Sequence, residues 1–347
     1  MNGHEAPGNK DPTLASEYEF SRLEDKVKWA QGFESTRRWL ARLNKRKADG
    51  RASPHTLKSY LLPLAAFCSY ASMSPDQLVA ERDVDLTKGR FERRRAEERL
   101  DAWMAVIQKG NRSPASNALS YYAVCSFYKA NFMPLVVDIA PSSHPLNKKP
   151  TLTRENLKRL LEETQHPMYS AIILCQAQSG LGISDLLNRK YGDIRDQLEA
   201  GAERLHLHLI RGKVEFYDVE FDTFFGFAST RGLRRYLAEE RSDIGTEDFL
   251  FPHTSIDSAT AAFDEFLGRA SSRAGLGWKV SSHSFRKFFS NSLKTTRLDD
   301  PAFNDSLIDY WMGHKLDRVQ GAYTAPPVED QLKLYVLAEP RLDPFAM

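Results

Sequence analysis

Apolar positions recur every three or four residues through most of the first 138 residues, in segments such as Phe33 to Leu43, Thr56 to Ala71 and Asn117 to Ala130. That period lays one stripe along an α-helix. Polar punctuation agrees with it: Ser53-Pro54, Ser74-Pro75 and Ser113-Pro114 each set a hydroxyl cap beside a proline, whose missing N–H is harmless in a first helical turn. Strict alternation is nearly absent there. It appears further on, where Leu205 to Arg211 and Val214 to Phe221 flank Gly212-Lys213 and read as two strands about a short turn. Helical spacing returns over Ala228 to Glu239, Ser258 to Ala274 and Val328 to Ala338. In the last of these, Val328, Leu332, Tyr335 and Val336 form a stripe that would dock on its own domain or on a neighbouring protomer. The expected fold class is mainly α with a small antiparallel β-sheet.

Breaks in the pattern divide the chain. Residues 1–16 are polar, with Gly, Pro and Asn, and read as a disordered leader. Ile139 to Pro150 carries Pro141, Pro145 and Pro150 with Lys148 and Lys149, which reads as a linker. The reading is thus a helical domain over 17–138, a linker over 139–150, a second domain over 151–327 opening on Thr153 as a helix cap, and a tail helix over 328–347.

A chain of 347 residues, 41% hydrophobic and 27% charged, suits two soluble domains. With no apolar run of about 18 residues and no basic-then-apolar start, neither a membrane span nor a secretory signal is read. Cys68, Cys125 and Cys175 each sit in an apolar run and read as reduced thiols of an intracellular, cytoplasmic protein. His206 and His208 share one strand face but lack partners at zinc-ligand spacing; they read as surface or half-buried side chains, and no metal is expected.

The net charge of +2 says little about partners; its distribution says more. Between Thr36 and Lys58 stand Arg37, Arg38, Arg42, Lys45, Arg46, Lys47, Arg51 and Lys58 against the single acid Asp49, which predicts a phosphate-facing surface for double-stranded DNA. Arg90, Arg93, Arg94 and Arg95 are diluted by Glu92, Glu97 and Glu98 and fit a solvated helix face equally well.

The chemistry gathers in the last quarter: Ser281-Ser282-His283-Ser284-Phe285-Arg286-Lys287, then Trp311-Met312-Gly313-His314, then Tyr323-Thr324-Ala325-Pro326. His283 and Arg286 are three apart, on one face of a helix opening near Ser282. An arginine fork matches two phosphate oxygens, imidazoles handle protons near neutral pH, and a hydroxyl can form a covalent intermediate. That set suits attack on a phosphodiester and needs no metal.

In its order His-x-x-Arg, Gly-His, Tyr-Thr-x-Pro, the segment resembles the catalytic domain of the tyrosine recombinases, the phage integrase family. The resemblance implies His283 and His314 as proton-handling and phosphate-orienting groups, Arg286 as a phosphate clamp, Tyr323 as nucleophile, and Lys213 as the hairpin lysine that protonates the leaving 5′ oxygen. Arg51 to Tyr60 loosely resembles the start of the family's core-binding domain, which implies a duplex held in a C-shaped clamp. The implied architecture is a helical core DNA-binding domain followed by an α+β catalytic domain. The implied activity is site-specific DNA recombination through a 3′-phosphotyrosyl link, without cofactor. The implied assembly is a monomer or dimer when free and a homo-tetramer in a synaptic complex, nucleoid-associated on DNA.

The match departs from the family at one catalytic position. Ser179-Gly180-Leu181-Gly182-Ile183-Ser184-Asp185 resembles the family's Thr-Gly-Leu-Arg-x-Ser-Glu box, with Gly182 where the first arginine belongs. Two phosphate-bracketing arginines would neutralise the transition state. Either another cation serves (Arg189, seven residues on, or Lys190, Arg195 or Arg211), or the clamp is built differently, or catalysis is weakened and DNA binding retained. A type IB topoisomerase-like enzyme shares the same constellation.

Overall fold

The computed structural model describes residues 23–45, 52–89, 91–136, 141–143, 150–211, 219–298, 303–314 and 326–346. The leader read over 1–16, most of the linker, Arg46, Lys47, Arg51, Lys213 and Tyr323 lie outside the described residues. The chain divides into two compact units, Met1–Lys148 and Lys149–Met347.

The first unit is helical: α1 (Leu23–Gln31), α2 (Glu34–Lys45), α3 (Pro54–Ala71), α4 (Pro75–Leu86), α5 (Arg95–Gln108) and α6 (Pro114–Ala130). Ser53, Ser74 and Ser113 are the caps of α3, α4 and α6, their side chains accepting from the N–H of Thr56, Gln77 and Ser116. Each satisfies one of the donors that a helix start leaves unpaired. The start of α2 is capped from another element: Asp76 on α4 accepts from the Ser35 N–H at 2.8 Å and the Glu34 N–H at 3.2 Å. Trp39, Phe67, Trp103, Tyr121, Phe127 and Tyr128 fill the core. A buried ion pair, Arg82 with Glu97 at 2.6 Å, crosses it, and Glu97 also accepts from the Val136 N–H at 2.9 Å.

The second unit contains α7 (Arg154–Glu162), α8 (Pro167–Ser179), α9 (Ile183–Leu187), α10 (Arg195–Glu199), β1 (Leu205–Arg211), β2 (Val219–Phe225), α11 (Phe227–Glu240), α12 (Ile256–Arg273), α13 (Ser282–Thr296), α14 (Asp305–Trp311) and α15 (Val328–Leu342). Thr153 caps α7 through a reciprocal bond with Asn156. The middle is α8, buried from Ala171 to Ser179 and packed by α11, α13, α15 and β2. The tail helix α15 lies on its own domain: Tyr335, Ala338 and Leu342 are buried, and the Tyr335 hydroxyl donates to the Gln178 carbonyl at 2.8 Å. Its buried face is not the expected stripe, since Leu332 and Val336 are at the surface.

β1 and β2 pair antiparallel with Leu205 opposite Phe225 and Arg211 opposite Val219. A turn at Gly212-Lys213 would have set Arg211 opposite Val214; the observed register sets it opposite Val219 instead. Burial decides the register, because Phe221, Thr223, Phe224 and Phe225 are all buried, a run without alternation that only the longer pairing covers. The fold class, mainly α with one small antiparallel sheet, is as the sequence reads.

Candidate active site

The site forms where two helix ends face a third helix. α8 ends at Gly180, in the left-handed conformation with φ 67°, and a Cβ there would stand 2.3 Å from the Phe289 ring. α14 ends at Met312 and Gly313, the latter with φ 61°, where a Cβ would stand 2.7 Å from the Phe221 ring. Both positions therefore require glycine, conformationally and sterically.

α13 runs past both ends. Phe285, Phe288, Phe289 and Leu293 bury one face, which leaves His283 and Lys287 exposed and Arg286 half-buried. The helix start is fixed by Asp264, which accepts from the Ser282 N–H at 3.0 Å. Arg286 donates through Nη1 to the Gly180 carbonyl at 2.6 Å and through Nη2 to the Met312 carbonyl. One guanidinium thus ties the turn before Gly182 to the segment ending in His314. The His314 imidazole is oriented in turn by its Nδ1, 2.8 Å from Asp309 Oδ1.

Gly182, Ile183, Ser184, Asp185, Ser282, His283 and Arg286 line a cleft of about 240 Å³. So Gly182, about a hundred residues before His283 and Arg286 in sequence, lines the same cleft as they do. Gly182 has φ −64° and ψ 149°, a backbone open to any residue, and a Cβ there would meet Asp185 Oδ2 at 3.0 Å. A larger cavity, about 730 Å³ and lined by Leu161, Leu174, Phe227, Arg231 and Phe345 among others, shares no residue with this cleft.

None of the cations proposed to replace the arginine at 182 lines the cleft among the described residues. A helix continued for seven residues would put Arg189 on the face of position 182, but α9 stops at Leu187, and Arg189 turns back to the Asp185 carbonyl at 3.0 Å and to Asp193 at 3.3 Å. Lys190 pairs with Glu247 at 2.5 Å, and Arg195 bonds Asp196 at 2.9 Å and Thr246 at 3.0 Å. The Arg211 side chain lies outside the described residues.

His206 is half-buried and His208 is exposed, and neither is idle. Asp222 Oδ1 lies 2.8 Å from His206 Nε2 and 3.0 Å from His208 Nδ1, while Oδ2 accepts from the Tyr310 hydroxyl at 2.6 Å and from Gln331 Nε2 at 3.3 Å. Burial works to raise the Asp222 pKa, but the bonds from His206, Tyr310, His208 and Gln331 outweigh it and hold the carboxyl far below the usual range. The Asp222 bond raises the His208 pKa, and burial followed by Asp222 raises that of Tyr310. No group of three or more metal-ligating side chains able to hold a metal is found among the described residues. Nothing in the sequence alone singled out Asp222, Tyr310 or Gln331.

Of the predicted DNA-facing residues, Arg37, Arg38 and Arg42 lie on α2 and Lys58 is exposed on α3. Arg38 donates to Glu34 at 2.8 Å and Asn131 at 3.2 Å, and Arg42 to the Lys129 carbonyl at 2.9 Å. The Arg42 guanidinium also stacks 4.6 Å over the Phe132 ring. Lys45 ends α2, its side chain outside the described residues. In the second basic group Arg95 pairs with the buried Asp85, and Arg93 donates to the Lys88 carbonyl at 3.0 Å. No helix among the described residues is long and apolar enough to cross a membrane.

No protein-family model matches the chain, and no curated protein matches it. Solved structures do. The XerH site-specific recombinase bound to palindromic difH substrate, a post-cleavage complex, aligns over 95% of this chain and 98% of that one, at 16% identity and a TM-score of 0.56. A lambda integrase dimer bound to a COC′ core site aligns over 83% and 94%, at 15% identity and 0.51; a lambda integrase tetramer bound to a Holliday junction aligns over 87% and 84%, at 16% and 0.51. The chain has the tyrosine-recombinase fold.

Proposed function

We propose that the protein is a site-specific DNA recombinase that cuts and rejoins DNA through Tyr323. The observation that carries this reading is Arg286: its side chain ties the Gly180 turn to the Met312–His314 segment, and with His283 it lines a cleft. A guanidinium anchored on two sides is preorganised, and preorganised charge stabilises a phosphoryl transition state.

In this reading the Tyr323 oxygen attacks phosphorus, a P–O(Tyr) bond forms, and the P–O5′ bond breaks. Lys213 hands a proton to the departing 5′ oxygen, as the family resemblance implies. The 5′ hydroxyl of a partner duplex then attacks the phosphotyrosine and releases the enzyme. One phosphodiester replaces another, and four protomers act on two sites. The basic face of α2 and α3, with Arg37, Arg38, Arg42 and Lys58, would hold duplex phosphates, together with Lys45, Arg46, Lys47 and Arg51.

A second reading, a DNA-binding homologue with weakened catalysis, rests on Gly182 and on the engagement of Arg189, Lys190 and Arg195 elsewhere. The two separate on a duplex selected from a random pool for tight binding. The recombinase reading expects a detergent-resistant protein–DNA adduct that Tyr323→Phe abolishes at unchanged duplex affinity. Tight binding with no adduct would favour the second reading.

A further inference from the structure

We propose that Asp222 is a positioning residue for the cleavage step, a single carboxylate that sets the hairpin, the helix leading to His314 and the chain leaving Tyr323 in one arrangement. The inference rests on the recombinase reading, and its evidence is separate from the cleft.

Asp222 is on β2 and only 6% exposed. A buried carboxylate is costly unless its lone pairs are filled, and here four side chains from three elements meet it: His206 and His208 from β1, Tyr310 from α14 and Gln331 from α15. Each leads to a different part of the proposed chemistry. β1 and β2 carry the connection that includes Lys213. Tyr310 is two residues before Met312, whose carbonyl takes the Arg286 bond, and four before His314. Gln331, 1% exposed, accepts from Trp311 Nε1 at 2.8 Å and donates to the Pro326 carbonyl at 2.9 Å; Pro326 stands three residues after Tyr323.

The chain of bonds therefore runs from the strands through Asp222 to the segments on both sides of the nucleophile. Holding the fold alone would not require this design, because apolar residues of the same volume fill a core at lower cost. Among the described residues a further charged neighbour is Glu220, 2.9 Å from His208 Nε2, on the exposed side of the pair. A shift of one donor would be felt at the others, since buried networks have few alternative arrangements.

The test uses the full chain and the selected duplex. Asp222→Asn keeps the shape but turns one acceptor into a donor facing donors; Tyr310→Phe cuts one tie, Gln331→Met cuts the ties to Asp222, Trp311 and Pro326 together, and both leave Asp222 with its histidines. Adduct formation is timed at about 15 °C, where circular dichroism must report every variant fully folded. We expect rates at least about tenfold below wild type, duplex dissociation constants within about threefold, and a deficit that persists on cooling. In Asp222→Asn the His208 titration, followed by NMR, should also fall toward the ordinary histidine value. If Asp222→Asn does not fold, Tyr310→Phe and Gln331→Met decide alone. Wild-type rates in the folded variants, or rate deficits that vanish on cooling in step with recovered stability, would overturn the inference while the recombinase reading stands. Absence of an adduct in wild type itself would overturn both.

Discussion

Replacing Gly182 by arginine tests the departure from the family most sharply. The backbone at 182, with φ −64° and ψ 149°, accepts a side chain without strain. The Cβ would approach Asp185 Oδ2 to 3.0 Å, so the carboxylate must give way by a few tenths of an ångström. Gly182 is the N-cap of α9, so loss of a favoured cap residue costs on the order of 0.5–1 kcal/mol; a new pair with the Asp185 carboxylate offsets up to about 1 kcal/mol. Net stability should hold within about 1 kcal/mol, a melting shift of roughly 2–4 °C for a domain of this size. The catalytic effect is larger. One preorganised donor at a developing oxyanion contributes about 2.7–4 kcal/mol, or 10²–10³ in rate. The new fork is held on one side only, by Asp185, so the expected rise in adduct formation is roughly 10- to 100-fold. Gly182→Gln, with the same Cβ approach and no charge, should not raise the rate. If arginine and glutamine behave alike, or arginine lowers the rate at unchanged affinity and melting temperature, the place is already filled. Alanine at Arg211 would then be the next substitution to make.

Arg286→Ala should act twice: two charge-assisted bonds of about 1.5–3 kcal/mol each disappear from a half-buried site, so calorimetry should record a melting temperature lower by roughly 5–15 °C, and cleavage in the folded protein should fall at least about 100-fold. Unchanged cleavage would remove the α13 face from the phosphate. Neutralising Arg37, Arg38 and Lys58 together as glutamines should flatten the slope of log K against log salt by about 0.9 for each phosphate that is no longer neutralised, and an unchanged slope would put the duplex elsewhere. The His208 pKa is raised in the folded state, so its stabilising contribution is full below the ordinary value of about 6.5 and is lost as pH rises through the raised one. The melting-temperature gap between wild type and His208→Gln should accordingly be wide near pH 6 and narrow near pH 9, and a gap independent of pH would contradict the Asp222 pairing.

Much of this was legible in the chain because it is local. Serine caps before proline mark helix starts within three residues, and His283 with Arg286 share a face by helical period alone. Tertiary chemistry was not legible. Nothing near Arg286 in sequence says that the carbonyls of Gly180 and Met312 will meet it, since that depends on two glycine-terminated helices converging 132 residues apart. The strand register is not legible because Thr223, Phe224 and Phe225 are all buried, which erases the alternation that marks a half-buried strand. The seven-residue spacing from position 182 to Arg189 suggests a shared face only if the helix continues, but the short α9 gives way to the Tyr191–Asp193 turn, which takes Arg189 to Asp193. Asp222 alternates with Glu220 like an outward-facing acid, and only the packing of α14 and α15 against the sheet turns it into a buried node.

The most direct test is to trap the protein on a tightly bound duplex, trim the DNA with nuclease and sequence the modified peptide by mass spectrometry. A nucleotide joined through its 3′ phosphate to Tyr323, with a free 5′ hydroxyl on the released strand, is the expected result. A modification on any other residue, a 5′ linkage, or no covalent product from a duplex held tightly would contradict the proposed recombinase chemistry.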